Sequence, residues 1–473
     1  MEYQEIMERK RKITSTPVHP LPEETVNKII KEFTQSHMKS KQLYDEALTC
    51  LTEGVQHNLS PNFPFPLAMD RGEGYMLWDI DGNEYIDYLM CGAPIILGHH
   101  FKPLDEKIAE HIRTKGPTTG LTSEYEILAA KQIKKMMPNI EKVRFVQSGS
   151  EAIMAALRIA RANTGHEKII KIEGNYHGWG DQTVIGLHIP GTGMMMSEGI
   201  PTECLSNTLT VMPNDFDGLR NTFEDAKKQG NVAACLVEAN GGEAGTHPVH
   251  PDWNKYVREL CDEFGALMIM DEVITGFRIA KGGAQEYYGI KPDIVTLGKV
   301  LMHGYPSCGA VAGRAEVMDS LAGGEGSAAG SHAFVAGTLA ANALSTMASY
   351  YALKFVEEYN AVDKAAAYAE KLTKELNDLF EARPDLPFFA YNQKSIIIYD
   401  TTAFFSVDIN QPDAFMQIMN RMKVAKEYQL ALTSKGVMNL AGSRMYTCMQ
   451  HDENALTKTL ETWEYLLSLI PKN

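Results

Sequence analysis

Between residues 143 and 297 the chain alternates short apolar runs with longer helix-like stretches. The runs are Val143-Arg-Phe-Val, Lys168-Ile-Ile-Lys-Ile, Ala233-Ala-Cys-Leu-Val, Ala266-Leu-Met-Ile-Met and Asp293-Ile-Val-Thr-Leu. Segments 149–163 and 252–264 between them show helical spacing of apolar residues. A strand apolar along its whole length must be covered on both faces. The pattern therefore predicts an α/β fold with a mostly parallel sheet between helices. In such sheets ligands sit beyond the carboxyl ends of the strands.

The other segments predict further parts. Residues 1–60 read as an N-terminal helical segment, with Val26, Ile29, Ile30 and Phe33 at helical spacing. Asn62-Phe-Pro-Phe-Pro breaks it. Runs from Tyr75 and from Glu84 flank Asp81-Gly82-Asn83, a hairpin signal. Helices are expected near 104–115 and 123–137, a long helical pattern from 339 to 380, a strand at Ser395-Ile-Ile-Ile-Tyr, and a helical tail at 454–470. The expected division is 1–60, 61–110 as the N-terminal part of a small domain, 111–338 as the large domain, and 339–473 as the rest of a smaller α+β domain built from both termini. The Gly/Ala/Ser-rich stretch 322–331 reads as a mobile loop.

Charge narrows the partners. The 473 residues carry 45 basic and 60 acidic side chains, a net charge of −15, so neither nucleic acid nor an anionic membrane surface finds a basic footprint here. The first residues lack the apolar core of a signal peptide, and no run is long enough for a membrane span. The seven Cys are scattered without Cys-x-x-Cys pairs, and no residue cluster suggests a metal. A cytoplasmic protein with reduced thiols is expected.

The chemistry-bearing residues gather at strand ends. Ser148-Gly149-Ser150-Glu151 opens a helix. Its small residues let backbone amides approach a phosphate, although an ordinary Ser cap with an acidic first turn reads the same way. Tyr176, in Glu173-Gly-Asn-Tyr-His-Gly178, can lie flat on a planar ring or pack in its loop. Glu238 ends another run. Asp271 follows four apolar residues, so its carboxylate needs a cationic partner, either a salt-bridge residue or a protonated ring nitrogen. Val273 would project to the same side. Lys299, after Gly298, is either a solvated cation or an amine able to form a Schiff base. An amine and a carboxylate of this kind are what a protein must supply to use pyridoxal phosphate as an electron sink.

Over about 45 to 470 these segments, in this order, resemble the class III aminotransferases of the pyridoxal-phosphate fold type I superfamily. Ser148-Gly-Ser-Glu-Ala is similar to the family's phosphate loop, and Tyr176-His-Gly to its ring-stacking segment. Asp271-Glu-Val-Ile-Thr-Gly-Phe-Arg278 with Thr296-Leu-Gly-Lys299 is similar to its signature. Gly337-Thr338 is similar to the segment that carries a Thr to the phosphate of a neighbouring subunit. Pro66-Leu-Ala-Met-Asp-Arg-Gly-Glu-Gly and Asp81-Gly-Asn-Glu-Tyr-Ile-Asp-Tyr are closest to the glutamate-1-semialdehyde 2,1-aminomutase-like branch. The resemblance implies pyridoxal 5'-phosphate joined to Lys299, with Asp271 on the ring nitrogen and Tyr176 and Val273 on the ring faces. It places Ser148, Gly149, Ser150, Glu238 and Thr338 around the cofactor, and implies a homodimer or higher homo-oligomer with shared active sites.

The chain departs from that branch in Glu238-Ala-Asn-Gly-Gly-Glu243, where Ala239 replaces a Pro and Glu243 matches many aminotransferases. Arg444 is then either the partner of Glu243, the two forming a gate for a substrate carboxylate, or a surface or interface residue. Arg278 is a second carboxylate candidate. The expected activity is an aminotransferase acting on an amino acid or amine and a keto acid. An intramolecular 2,1-aminomutase, a lyase or epimerase on the same scaffold, and a binding protein without catalysis are the alternatives.

Overall fold

The computed structural model describes residues 1–57, 62–193, 197–321 and 332–472; the stretch 322–331 expected to be a loop therefore lies outside the described residues. The chain divides into two units. One is Lys102–Val362; the other joins Met1–Phe101 to Asp363–Asn473.

The unit Lys102–Val362 is built on a seven-stranded sheet. Its strands are Lys142–Val146 (β1), Lys168–Ile172 (β2), Thr208–Val211 (β3), Val232–Val237 (β4), Leu267–Asp271 (β5), Ile294–Leu297 (β6) and Gly309–Gly313 (β7). Their order is β1-β7-β6-β5-β4-β2-β3. Strands β6, β5, β4, β2 and β3 pair in parallel; β7 alone runs antiparallel, to both β1 and β6. The mostly parallel α/β sheet expected from the pattern is present. Strands β3 and β7 were not foreseen. Gly-Ala-Val-Ala-Gly carries one β-branched residue and no alternation, so its strand character comes from pairing on both sides.

Every residue of β4 is buried, as a central parallel strand requires. Helix Gly149–Thr164 lays Ile153, Leu157 and Ile159 on Ile169, Leu236, Ile269, Ile294 and Val311 of the sheet. The helix ends where Gly165 turns left-handed at φ 70°. Expected boundaries at 111 and 338 fall instead at 102 and 362. Helices Lys102–Thr114 and Ala343–Glu358 both belong here because they pack on each other, and the second also packs on helix Glu124–Met136. The long helical pattern from 339 to 380 is two helices, broken at Asn360 with φ 51°.

In the other unit three helices occupy residues 3–47. The hairpin is present: Met76–Asp79 pairs antiparallel with Glu84–Asp87 around Gly82 at φ 93°, with Met69–Glu73 and Val437–Met438 at the sheet's edges. A second sheet joins Phe389–Gln393, Ile396–Asp400 and Arg444–Tyr446. His451 is buried here among Tyr75, Tyr88 and Tyr368, with ring centroids 4.8–5.3 Å away, and accepts the Cys448 N–H at 3.0 Å. Burial pushes its imidazole down to about 4 from an ordinary 6.5, against the pull of Asp87. Between those values the unfolded chain binds a proton that the folded chain refuses. Stability should therefore be highest above 6.5 and fall toward pH 4, by on the order of 3 kcal/mol. Urea midpoints compared at neutral pH and near pH 5 check this, and His451→Phe should flatten the difference.

Among the described residues no helix is long and apolar enough to cross a membrane, and no group of three His, Cys, Asp or Glu could hold a metal ion.

Candidate active site

Parallel strands end at one edge of a sheet, so β2, β4, β5 and β6 deliver their following residues to one side. β1 points the same way, being antiparallel to β7, which is itself antiparallel to β6. Ser148, Tyr176, Glu238, Asp271 and Lys299 all follow or end these strands.

Glycines record how closely the segments meet. A Cβ on Gly149 would stand 3.0 Å from both methyls of Val273, and one on Gly298 would stand 3.1 Å from the Val273 Cγ1. Val273 thus touches both the helix N-terminus and the turn that bears Lys299. A Cβ on Gly178 would overlap the Ser150 Oγ at 2.2 Å, which places the Ser150 side chain against the Tyr176 loop.

The Ser148 hydroxyl accepts the Glu151 N–H at 3.2 Å, and Glu151 in return accepts the Gln147 N–H at 2.9 Å. Ser148 is an N-cap. The backbone N–H groups of Gly149 and Ser150 have no acceptor among the described residues, at the N-terminus of a 16-residue helix. Those two amides form a cradle for an anion.

Asp271 accepts from His177 Nδ1 at 2.7 Å through one oxygen, and from Val273 N–H at 3.0 Å and Thr296 Oγ1 at 3.1 Å through the other. His177 is fully buried, and burial lowers its imidazole against the opposing pull of Asp271. Its Nε2 has no hydrogen-bond partner among the described residues. Sequence reasoning quoted His177 only as Tyr176's neighbour. The available signal was its adjacency to a stacking Tyr beside a buried Asp.

Lys299 stands at φ 46°, a left-handed conformation that costs a non-glycine residue on the order of 1 kcal/mol. Its amine makes no hydrogen bond among the described residues. Crowding by the protein lowers its pKa, while Asp271, Cys308, Glu238 and Glu243 pull the other way. A larger fraction of neutral amine is the result, as a nucleophile needs.

Glu238 is buried and accepts three backbone N–H groups: Tyr176 at 2.8 Å, Glu243 at 3.2 Å and Ala244 at 3.1 Å. Burial, with the fields of Asp271 and Glu243, pushes its carboxyl up to about 8. Its role in this geometry is to tie backbone segments together. Lys171, wholly buried, donates to the Asn175 carbonyl at 2.8 Å, and burial pushes its amine down to about 8. It too was missed, being a Lys inside an apolar run. Tyr176 keeps 43% of its surface exposed.

The remaining candidates are placed as follows. Glu243 is buried and pairs with His188 Nδ1, a partner the sequence did not suggest. Thr338 is exposed, in a turn next to Gly337, where a Cβ would stand 2.9 Å from Gln147 Nε2. Arg278 is wholly buried. Arg444 belongs to the other unit, buried on Arg444–Tyr446 with its guanidinium 6.0 Å from the Phe405 ring centroid.

The residues fit pyridoxal phosphate. Two amides without acceptors await its phosphate, a carboxylate held by His177, Val273 and Thr296 suits its ring nitrogen, and an unbonded amine suits its aldehyde. The protein is a pyridoxal-phosphate enzyme of fold type I. Residues 59–389 match the model of the family described as aminotransferase class-III, and the chain belongs to that family. It is 40% identical over 345 residues to the glutamate-1-semialdehyde 2,1-aminomutase of Archaeoglobus fulgidus, covering 72% of this chain and 80% of that one. To the enzyme of that name in Methanocaldococcus jannaschii it is 34% identical over 436 residues, 90% of this chain and 97% of the other. A solved structure described as a transaminase with PLP bound is 26% identical and superposes with a TM-score of 0.81, over 92% of this chain and 98% of its own.

Glu238→Ala would leave three buried N–H groups without their acceptor. We expect cofactor affinity to fall about tenfold or more, with a lowered melting temperature. Titration of cofactor into the apoprotein checks the first expectation and thermal unfolding the second.

Proposed function

We propose that this enzyme moves an amino group between neighbouring carbons of one small substrate, the exchange named in glutamate-1-semialdehyde 2,1-aminomutase. The observation that carries this reading is the likeness to enzymes of that name at 34–42% identity over 68–90% of the chain. It reverses the preference expected from Glu243, which favoured separate amine and keto-acid substrates. Glu243 keeps that second reading open, because it stands on the segment following β4 within the electrostatic reach of Lys299.

Pyridoxal phosphate, when bound, supplies a protonated ring that takes up the electron pair left on a substrate carbon. The chain's own groups do the rest. Gly149 and Ser150 amides hold the phosphate, joined by Thr338 from a second copy of the chain in a cytosolic homodimer. Asp271, its orientation set by His177 and Thr296, keeps the ring nitrogen protonated. Tyr176 and Val273 cover the ring faces. Lys299, with its basicity lowered by crowding, takes a proton from the amine-bearing carbon and returns it to the neighbouring position.

With glutamate-1-semialdehyde and no keto acid, the holoenzyme should yield the isomer with its amine on carbon 1, read by NMR. A strict requirement for an added keto acid would establish the aminotransferase reading instead. Lys299→Ala should abolish turnover, and borohydride should no longer fix cofactor to the protein.

A further inference from the structure

Strand β2 reads Lys-Ile-Ile-Lys-Ile, and its second lysine stands where an apolar side chain would serve the sheet better. Lys171 has no exposed surface and is registered between Thr210 of β3 and Leu236 of β4. A buried amine persists only where its N–H groups find acceptors. Lys171 finds three carbonyls: Asn175 at 2.8 Å, Ile172 at 3.3 Å and Gly186 at 3.4 Å. The Gly186 carbonyl also accepts the Gly174 N–H at 2.7 Å. The amine therefore joins the limb of chain that leaves β2 to the limb that returns past Gly186. Protonated or neutral, it keeps an N–H for the Asn175 carbonyl.

The shortest of these bonds has a counterpart. The Asn175 carbonyl and the Tyr176 N–H are the two ends of one peptide group, and Glu238 accepts that N–H at 2.8 Å. In a trans peptide the two ends point in opposite directions within one plane. Lys171 and Glu238 therefore hold the group from opposite sides, a donor on its oxygen and an acceptor on its hydrogen. A peptide held at one end can still turn about that bond. Held at both, it cannot turn without breaking one of them. The fixed plane places the Tyr176 Cα and restricts the direction of its Cα–Cβ bond. The Tyr176 side chain is 43% exposed, so its neighbours leave much of that direction to the backbone.

We propose that Lys171 is a positioning residue: with Glu238 it grips both ends of the Asn175–Tyr176 peptide and so aims the Tyr176 ring. Lys171 acts through the backbone and touches neither cofactor nor substrate. This rests on the proposed role of Tyr176 as a cover for the cofactor ring, and it holds whichever amine is moved.

A double-mutant cycle separates aiming of the ring from general support of the fold. Pyridoxal phosphate is titrated into the apoprotein and followed by its visible band and by quenching of tryptophan fluorescence. Tyr176→Leu should weaken the cofactor about tenfold, the scale of one lost aromatic contact. Lys171→Met fills the same space without the N–H groups. It should weaken the cofactor roughly threefold to tenfold with Tyr176 present, and less than about twofold in the Tyr176→Leu background. Any fall in melting temperature should be equal in both backgrounds, because support of the loop does not depend on the ring. Lys171→Gln, whose shorter side chain is still polar, is held to the same criteria if Lys171→Met does not fold. Cofactor affinity unchanged by the Lys171 substitution, or weakened equally with and without Tyr176, overturns the proposal. Affinity unchanged in Tyr176→Leu overturns the role of Tyr176 itself, and the proposal falls with it.

Discussion

The carboxylate of Glu238 is the tie on which the site depends. It accepts N–H groups from two loops that follow different strands: Tyr176 after β2, and Glu243 with Ala244 after β4. A buried carboxylate with no compensation would neutralise itself or unfold its surroundings. Here the donors hold it in place, while its raised pKa shows that burial and two neighbouring carboxylates outweigh them. Lys171 works from the other side of the same loop, binding the carbonyl of Asn175 directly before Tyr176. Loss of either group frees the loop that carries Tyr176.

The site is paid for by the sheet. Lys299, His188, Glu243 and Ala244 all occupy left-handed backbone positions. Strain of that size persists because helix Gly149–Thr164 and strands β2, β4, β5, β6 and β7 share one buried apolar cluster. Each large aliphatic side chain buried there contributes on the order of 2 kcal/mol. The turn that carries Lys299 begins directly after β6, so the rigid strand limits how far the strained residue can relax.

Much of this was legible in the amino-acid order, for a physical reason: central parallel strands must be apolar throughout, and the residues after them must serve the ligand. Five of the seven strands, and the placement of Ser148, Tyr176, Glu238, Asp271 and Lys299, follow from that rule. The remainder depends on contacts between distant segments. Gly309–Gly313 is a strand only because both neighbours pair with it. His177 and His188 meet partners 94 and 55 positions away in the chain, and nothing in their local spacing announces this. Ser148 shows the reverse case, where a hydroxyl aligned with a phosphate loop is engaged in capping its own helix.

Strand β7 has a consequence for how this site could vary. A Cβ on Gly309 would come within 2.3 Å of the Ser148 carbonyl, and one on Gly313 within 2.3 Å of the Asp293 carbonyl. β7 lies between β1, which leads to the anion cradle, and β6, which leads to Lys299. Its two terminal glycines therefore act as a spacer gauge. The spacing between the Ser148–Ser150 segment and the Lys299 turn is set by the thickness of a bare backbone, in a segment that carries no titratable side chain. A larger residue at Gly309 would press on the Ser148 carbonyl, and one at Gly313 on the Asp293 carbonyl at the other end of the strand.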